Sequence, residues 1–257
     1  MIWLAALACR THLASSAPVP DVDPSAAWGD LLAEVVTEDG YVRYSVLAEN
    51  RNPLDTYVAW LSRDDLIQGQ EGDDDHALYL NAYNALVLFQ VLERGRPASV
   101  MDVPGTLPRA GAGFFVETAF DVGEDWLSLA EIEHERIRMT EMDFRDHAAM
   151  NCASRSCPPL RRELYQRGGL QGQLKDQFKN WVADRERGMR IEADVLVVSQ
   201  VFETYARDFT FWSGGKDLCT LAARYADPAF EAELTALAAK GCPQRAMPWD
   251  SALNDAP

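Results

Sequence analysis

The chain has 257 residues, enough for one large domain or two small ones, with a sizeable core in either case. Hydrophobic residues make up 47% and charged residues 25%, a balance that excludes a disordered chain. Forty Asp and Glu against 24 Lys and Arg leave a net charge of −16, which repels phosphate backbones and anionic membrane surfaces and argues against a nucleic-acid partner.

Ile2-Trp3-Leu4-Ala5-Ala6-Leu7-Ala8-Cys9 is a short apolar run ending in Ala-Cys, and the chain then turns polar and Pro-rich through Pro24. Residues 1–23 therefore read as a signal- or lipoprotein-like leader and linker, with Cys9 lipidated after cleavage and the body in the periplasm or cell envelope. No Lys or Arg precedes Cys9 and the run is short for a signal, so an ordinary N-terminal tail is the alternative. No other stretch approaches the ~18–20 apolar residues of a membrane span, so contact with a membrane is expected only through a lipid on Cys9.

Trp28, Leu31, Leu32, Val35 and Val36 recur at helical spacing between Pro24 and Thr37. A short strand is expected at Gly40–Tyr44, and Asn52-Pro53 opens a helix carrying Leu54, Tyr57, Val58 and Leu61. The acidic segment 69–75 reads as a solvated loop. From His76 to Arg94 the pattern is apolar nearly all round, as in a central helix. A Gly- and Pro-rich loop follows to Gly113, then a hairpin around Gly123-Glu124-Asp125. Ser128-Leu129-Ala130-Glu131 fits a capping box, which starts a helix running to about Met139.

Phe144 to Cys152 reads as a buried strand, and Pro158-Pro159 as the first turn of a helix. Further helices are expected at about Leu170–Asp184, Leu218–Tyr225 and Phe230–Ala239, with a strand at Ile191–Val198. Helices dominate, so residues 24–257 read as a single α+β domain, mainly helical with a small sheet.

The chemistry concentrates in Met150-Asn151-Cys152-Ala153-Ser154-Arg155-Ser156-Cys157-Pro158-Pro159, with His147 shortly before it. Thiolate and imidazole are the parts of a nucleophilic site, a soft-metal site or a redox pair. Of four histidines, His12 and His76 are expected to be exposed, which leaves His134 and His147 as bases. Cys157, placed before two prolines, suits a helix N-cap where the dipole favours a thiolate; Cys152 is the other candidate. Asn81 and Asn84 each either brace a loop or face the site, and Asn151 adjoins the cysteines. Cys219 and Cys242 are expected to bridge in an oxidising compartment.

Leu80-Asn81-Ala82-Tyr83-Asn84-Ala85-Leu86, Leu129–His134, His147–Leu160 and Trp249-Asp250-Ser251-Ala252-Leu253-Asn254, in this order, resemble the landmarks of the family catalogued as domain of unknown function 547. The resemblance implies secreted or lipoprotein forms and a distant likeness to papain- and transglutaminase-like folds. In those folds Cys usually precedes His, the reverse of the order here. This chain also has Asp-His-Ala-Ala where the family usually has Ile-His-Phe-Ala.

The expected function is a hydrolase or acyl transferase acting on an amide or acyl bond of a peptide-like or small-molecule substrate. Cys157 or Cys152 would be the nucleophile and His134 or His147 the base, with Asn81, Asn84 and Asn151 at the substrate. No organic cofactor is expected, because no Gly-rich phosphate loop follows a strand. The alternatives are a non-catalytic periplasmic binding or scaffold domain with a structural Cys pair, or a metal-binding module using His134, His147, Cys152 and Cys157.

Overall fold

The computed structural model of this protein describes residues 10–67 and 72–256, so the expected lipid attachment at Cys9 lies outside the described residues. About 48% of the chain is helical and 11% is strand, in two small sheets, which makes it a single α+β domain.

Helix α3 (Asn52–Leu61) packs against α4 (Asp73–Glu93), α1 (Ser25–Val35) packs against α3, and α2 (Tyr44–Glu49) packs against α1. Leu78, Leu80, Tyr83, Leu86, Phe89 and Val91 of α4 are all buried although they point in different directions, as the all-round apolar sequence requires. The helix begins earlier than expected. Asp73, Asp74 and Asp75 form its first turn, where carboxylates complement the positive end of the helix dipole. The expected strand at 40–44 reduces to bridges from Val42 to Val36 and Asp255.

Strand β1 (Thr11–His12) pairs in parallel with β2 (Thr118–Val122), which turns into antiparallel β3 (Asp125–Ser128). Residues 10–23, read as leader and linker, lie against the body. Arg10 makes a two-pronged ion pair with Glu131, and Arg63 donates to the Pro20 carbonyl. The expected long loop ends in the short helix α5 (Ala112–Phe115), which runs two residues past Gly113. The capping box at Ser128 is present with both of its bonds and opens α6 (Leu129–Glu131). The next turns, Ile132–Arg138, are a π-helix before α7 (Met139–Glu141).

The segment expected as a strand into Cys152 is instead the short helix α8 (Asp146–Ala149). Nor does Pro158-Pro159 start a helix. Pro159 disfavours helical geometry at Pro158, and their carbonyls accept from Asn151 Nδ2 at 2.7 Å and Gln177 Nε2 at 2.5 Å. Cys157 is therefore not an N-cap. Helix α9 (Leu170–Ala183) follows. The single strand expected at 191–198 is a hairpin of β4 (Met189–Glu192) and β5 (Val195–Val198). Ala193 and Asp194, both at positive φ, form its two-residue turn. After α10 (Gln200–Thr204), α11 (Ala206–Phe211), α12 (Leu218–Ala223) and α13 (Pro228–Ala238), β6 (Gln244–Ala246) joins β5 in parallel.

The apolar side chains form two clusters, one around α4 and one around α9–α13. Helices α8 and α9 serve both. Ala149, Leu170 and Leu174 belong to the first cluster, while Ala148, Phe178 and Trp181 belong to the second.

Candidate functional site

Tyr205, at the junction of α10 and α11, is the point on which the histidines converge. Its hydroxyl donates to Glu133 Oε1 at 2.5 Å. The ring centroid of His147 lies 4.3 Å from that of Tyr205, and that of His134 lies 6.4 Å away. The π-helix explains the approach from the other side. Its i→i+5 register aligns Glu133 with Arg138 along one face, so that the carboxylate meets the Tyr205 hydroxyl while the guanidinium lies 5.0 Å over its ring.

Beneath this, Asp208 accepts from His147 Nε2 at 2.9 Å and from Arg138 Nη2 at 2.9 Å. Burial pushes the Asp208 carboxyl up, but His147 and Arg138 outweigh it and hold it below the usual carboxylate range. Burial, reinforced by Glu133, raises the Tyr205 and Tyr83 phenols, so both remain neutral. His134 is the open member, 39% exposed at its side chain. Its Nδ1 is buried without a hydrogen-bond partner, 3.8 Å from Glu133 Oε1.

The structure does not hold the expected Cys-His pair. Cys152 and Cys157 are joined to each other in a disulfide, with Cα atoms 5.9 Å apart. Cys157 is buried, Cys152 half-buried, and the backbone N–H of Ser154 donates to Cys157 Sγ at 3.2 Å.

The three amides expected at the substrate are braces. Asn81 exchanges two hydrogen bonds with the backbone of Tyr165. Asn84 donates to the Ala149 carbonyl and accepts from Asn151 N, both at 2.9 Å. Asn151 Oδ1 accepts from Ala153 N and from Asn254 Nδ2. All four sequence motifs thus meet in space: the amide helix, the Glu133-His134 turn, the His147-to-cysteine segment and, through Asn254, the Trp249–Asn254 segment.

Residues 67–182 match the family described as Protein of unknown function, DUF547. The resemblance read from the motifs is shown over this segment. No curated protein and no solved structure matches the chain. The DUF547 segment supplies Tyr83, Glu133, His134, Arg138 and His147, whereas Tyr205 and Asp208 come from outside it.

A second buried pair within the DUF547 segment corrects the expectation that His76 is exposed. His76 is 2% exposed, and its Nε2 lies 2.8 Å from Asp146 Oδ1. Glu141 lies 3.6 Å from His76 Nδ1, and Asp146 Oδ2 is buried without a partner. Burial pulls the imidazole down, but Asp146, Glu141 and Asp143 outweigh it and raise its pKa above the ordinary value. Burial pushes the Asp146 carboxyl up to about 6, against the pull of His76.

Both groups therefore bind protons more tightly in the folded chain than in the unfolded one. The Asp146 contribution to stability is full below its ordinary pKa and is lost as the pH rises through about 6. The His76 contribution is full below its own ordinary value and is lost as the pH rises through its elevated folded value. We expect the denaturation midpoint of the wild type, relative to a His76→Gln/Asp146→Asn variant, to fall as the pH rises from the ordinary carboxyl range through about 6 and on through the elevated His76 value. A difference that stays flat or rises over that range contradicts the assignment.

Two hollows lie elsewhere. One of about 220 Å³ is lined by Phe202, Phe209, Lys216, Leu218 and Cys242 among others, and one of about 50 Å³ lies beside Val58 and Phe120. The four ligands of the metal alternative do not come together. Among the described residues, the one group of three such ligands is Asp217, Cys219 and Cys242, and its two sulfurs are bonded to each other.

Proposed function

We propose that this chain is an exported cell-envelope domain that binds a peptide-like or small-molecule ligand without covalent chemistry, at the face where Glu133, His134 and Tyr205 meet. The observation that carries this reading is the partnering of the reactive groups. Each sulfur is bonded to the other, and both imidazoles turn to Tyr205 and its carboxylate neighbours. A thiol hydrolase or acyl transferase needs a free thiolate within reach of an imidazole. The part-exposed His134 and the largely buried Glu133 sit side by side and offer a donor and an acceptor of the kind a backbone amide engages. Two disulfides suit an oxidising compartment.

The test is iodoacetamide labelling without reductant across neutral and alkaline pH, followed by peptide mapping. Neither Cys152 nor Cys157 should be modified, in the wild type or in His134→Ala and His147→Ala variants. Fast labelling of either cysteine that slows when a histidine is lost would replace this reading with the thiol enzyme. In parallel, titration with a set of short peptides should shift the His134 imidazole resonances, and Glu133→Gln should weaken that response. Unmoved resonances at saturating peptide remove peptide-like ligands from the proposal.

A further inference from the structure

The two disulfides differ in what holds their surroundings together. Cys219 and Cys242 lie within the second apolar cluster, at 0% and 7% exposure, and close a sequence separation of 23. Cys152 and Cys157 close a separation of only 5, and Cys152 is half-buried. The short loop between them is also fixed without its sulfurs. Arg155 N donates to the Ala252 carbonyl at 2.8 Å, Ser156 N to Asp250 at 3.2 Å, and Asn254 N to Ala153 at 2.9 Å. Asn151 Nδ2 holds the Pro158 carbonyl from inside. A covalent link across a loop already tied at both ends adds little to the fold, and opening it leaves the two sulfurs facing each other.

We propose that Cys152–Cys157 is a thiol–disulfide exchange site for a protein dithiol. A thiolate of the partner attacks Sγ of Cys152, the less buried of the two residues, and forms a mixed disulfide with it. The bond to Cys157 breaks, and Cys157 leaves as a thiolate that the Ser154 N–H, 3.2 Å from its sulfur, stabilises before solvent protonates it. The second thiol of the partner then attacks the mixed disulfide. That step releases Cys152 as a thiol and leaves the partner oxidised, so two electrons have passed to the pair. The reverse sequence closes the pair and reduces the partner. Cys242 has a comparable donor in Cys219 N at 3.1 Å and lines the 220 Å³ hollow, so a small thiol can reach it. A protein dithiol presents its sulfur on a broad surface and is confined to Cys152. This inference is independent of ligand binding at the Glu133–His134 face, because the exchange uses neither residue.

The experiment incubates the full-length oxidised chain with a protein dithiol of the thioredoxin type, with timed acid quenching, alkylation and peptide mapping. Cys152–Cys157 should open at least about tenfold faster than Cys219–Cys242, with an unchanged circular dichroism spectrum. A reductant lacking its second cysteine, previously activated as a mixed disulfide, should become attached to Cys152 in a Cys157→Ser variant. It should not become attached to Cys157 in a Cys152→Ser variant. Equal or slower opening of Cys152–Cys157, attachment at Cys157, or loss of fold on opening overturns the proposal. If a single variant does not fold, the relative opening rates in the wild type decide alone.

Discussion

Asp208→Ala is expected to destabilise the protein by about 3–5 kcal/mol, the range for removing one partner of a buried ion pair. Asp208 is 4% exposed and is the shared acceptor of His147, itself 4% exposed, and of Arg138. Without it the imidazole loses its buried partner and the guanidinium faces a cavity. Arg138 retains 24% side-chain exposure, so water relieves part of the loss and the lower half of the range is favoured. Asp208→Asn keeps the shape and one acceptor and should cost less than alanine. Urea unfolding of both variants, monitored by tryptophan fluorescence, reads the difference. A loss below about 1 kcal/mol would place the cluster among weak surface pairs and separate it from the stability of the fold.

Replacing Cys219 and Cys242 together by alanine should cost about 3 kcal/mol, from the loop-closure entropy of a separation of 23. The same replacement at Cys152 and Cys157, with a separation of 5, should cost about 2 kcal/mol on loop closure alone. The hydrogen bonds that already tie that loop should reduce the second figure further. The C-terminal bridge also lies inside an apolar cluster where Cys219 is fully buried, so its loss adds a packing defect. The two double variants, compared by chemical denaturation, should therefore rank with Cys219/Cys242 as the more damaging. The opposite order contradicts this account of the two bridges.

The legible parts of the sequence were those with a local cause. The apolar run of α4, the Ser128–Glu131 capping box and the bridging of Cys219 with Cys242 all followed from composition or spacing. The bracing role of Asn81 and Asn84 was one of two readings, since an amide in an apolar helix must find partners. What the sequence does not show has mostly non-local causes. A π-turn differs from an α-turn by one residue in its hydrogen bonds and leaves no mark in hydrophobic periodicity. Tyr205 and Asp208 lie 72 and 61 residues from Glu133 and His147, the groups they bind, and nothing in their own neighbourhood announces that pairing. The Pro158-Pro159 step points both ways in the sequence, because the first proline suits a helix start while the second opposes it. The acidic residues before His76 suggest exposure, although the helix that buries it begins among those residues.

The tie between residues 250–255 and the cysteine loop bears on the order in which the chain acquires its form. Asn254 reaches back 103 residues to Asn151 and 210 residues to the Tyr44 hydroxyl. During synthesis, the α4 layer and the cysteine loop emerge long before the segment that fastens them. Such distant contacts close late and slow the final step of folding. A nascent chain therefore stays unfastened along this seam until residue 254 has been made, and its thiols can be sampled by oxidants or by other cysteines in that interval. The folding clock of this chain is set by the docking of residues 250–255 as much as by its central helix.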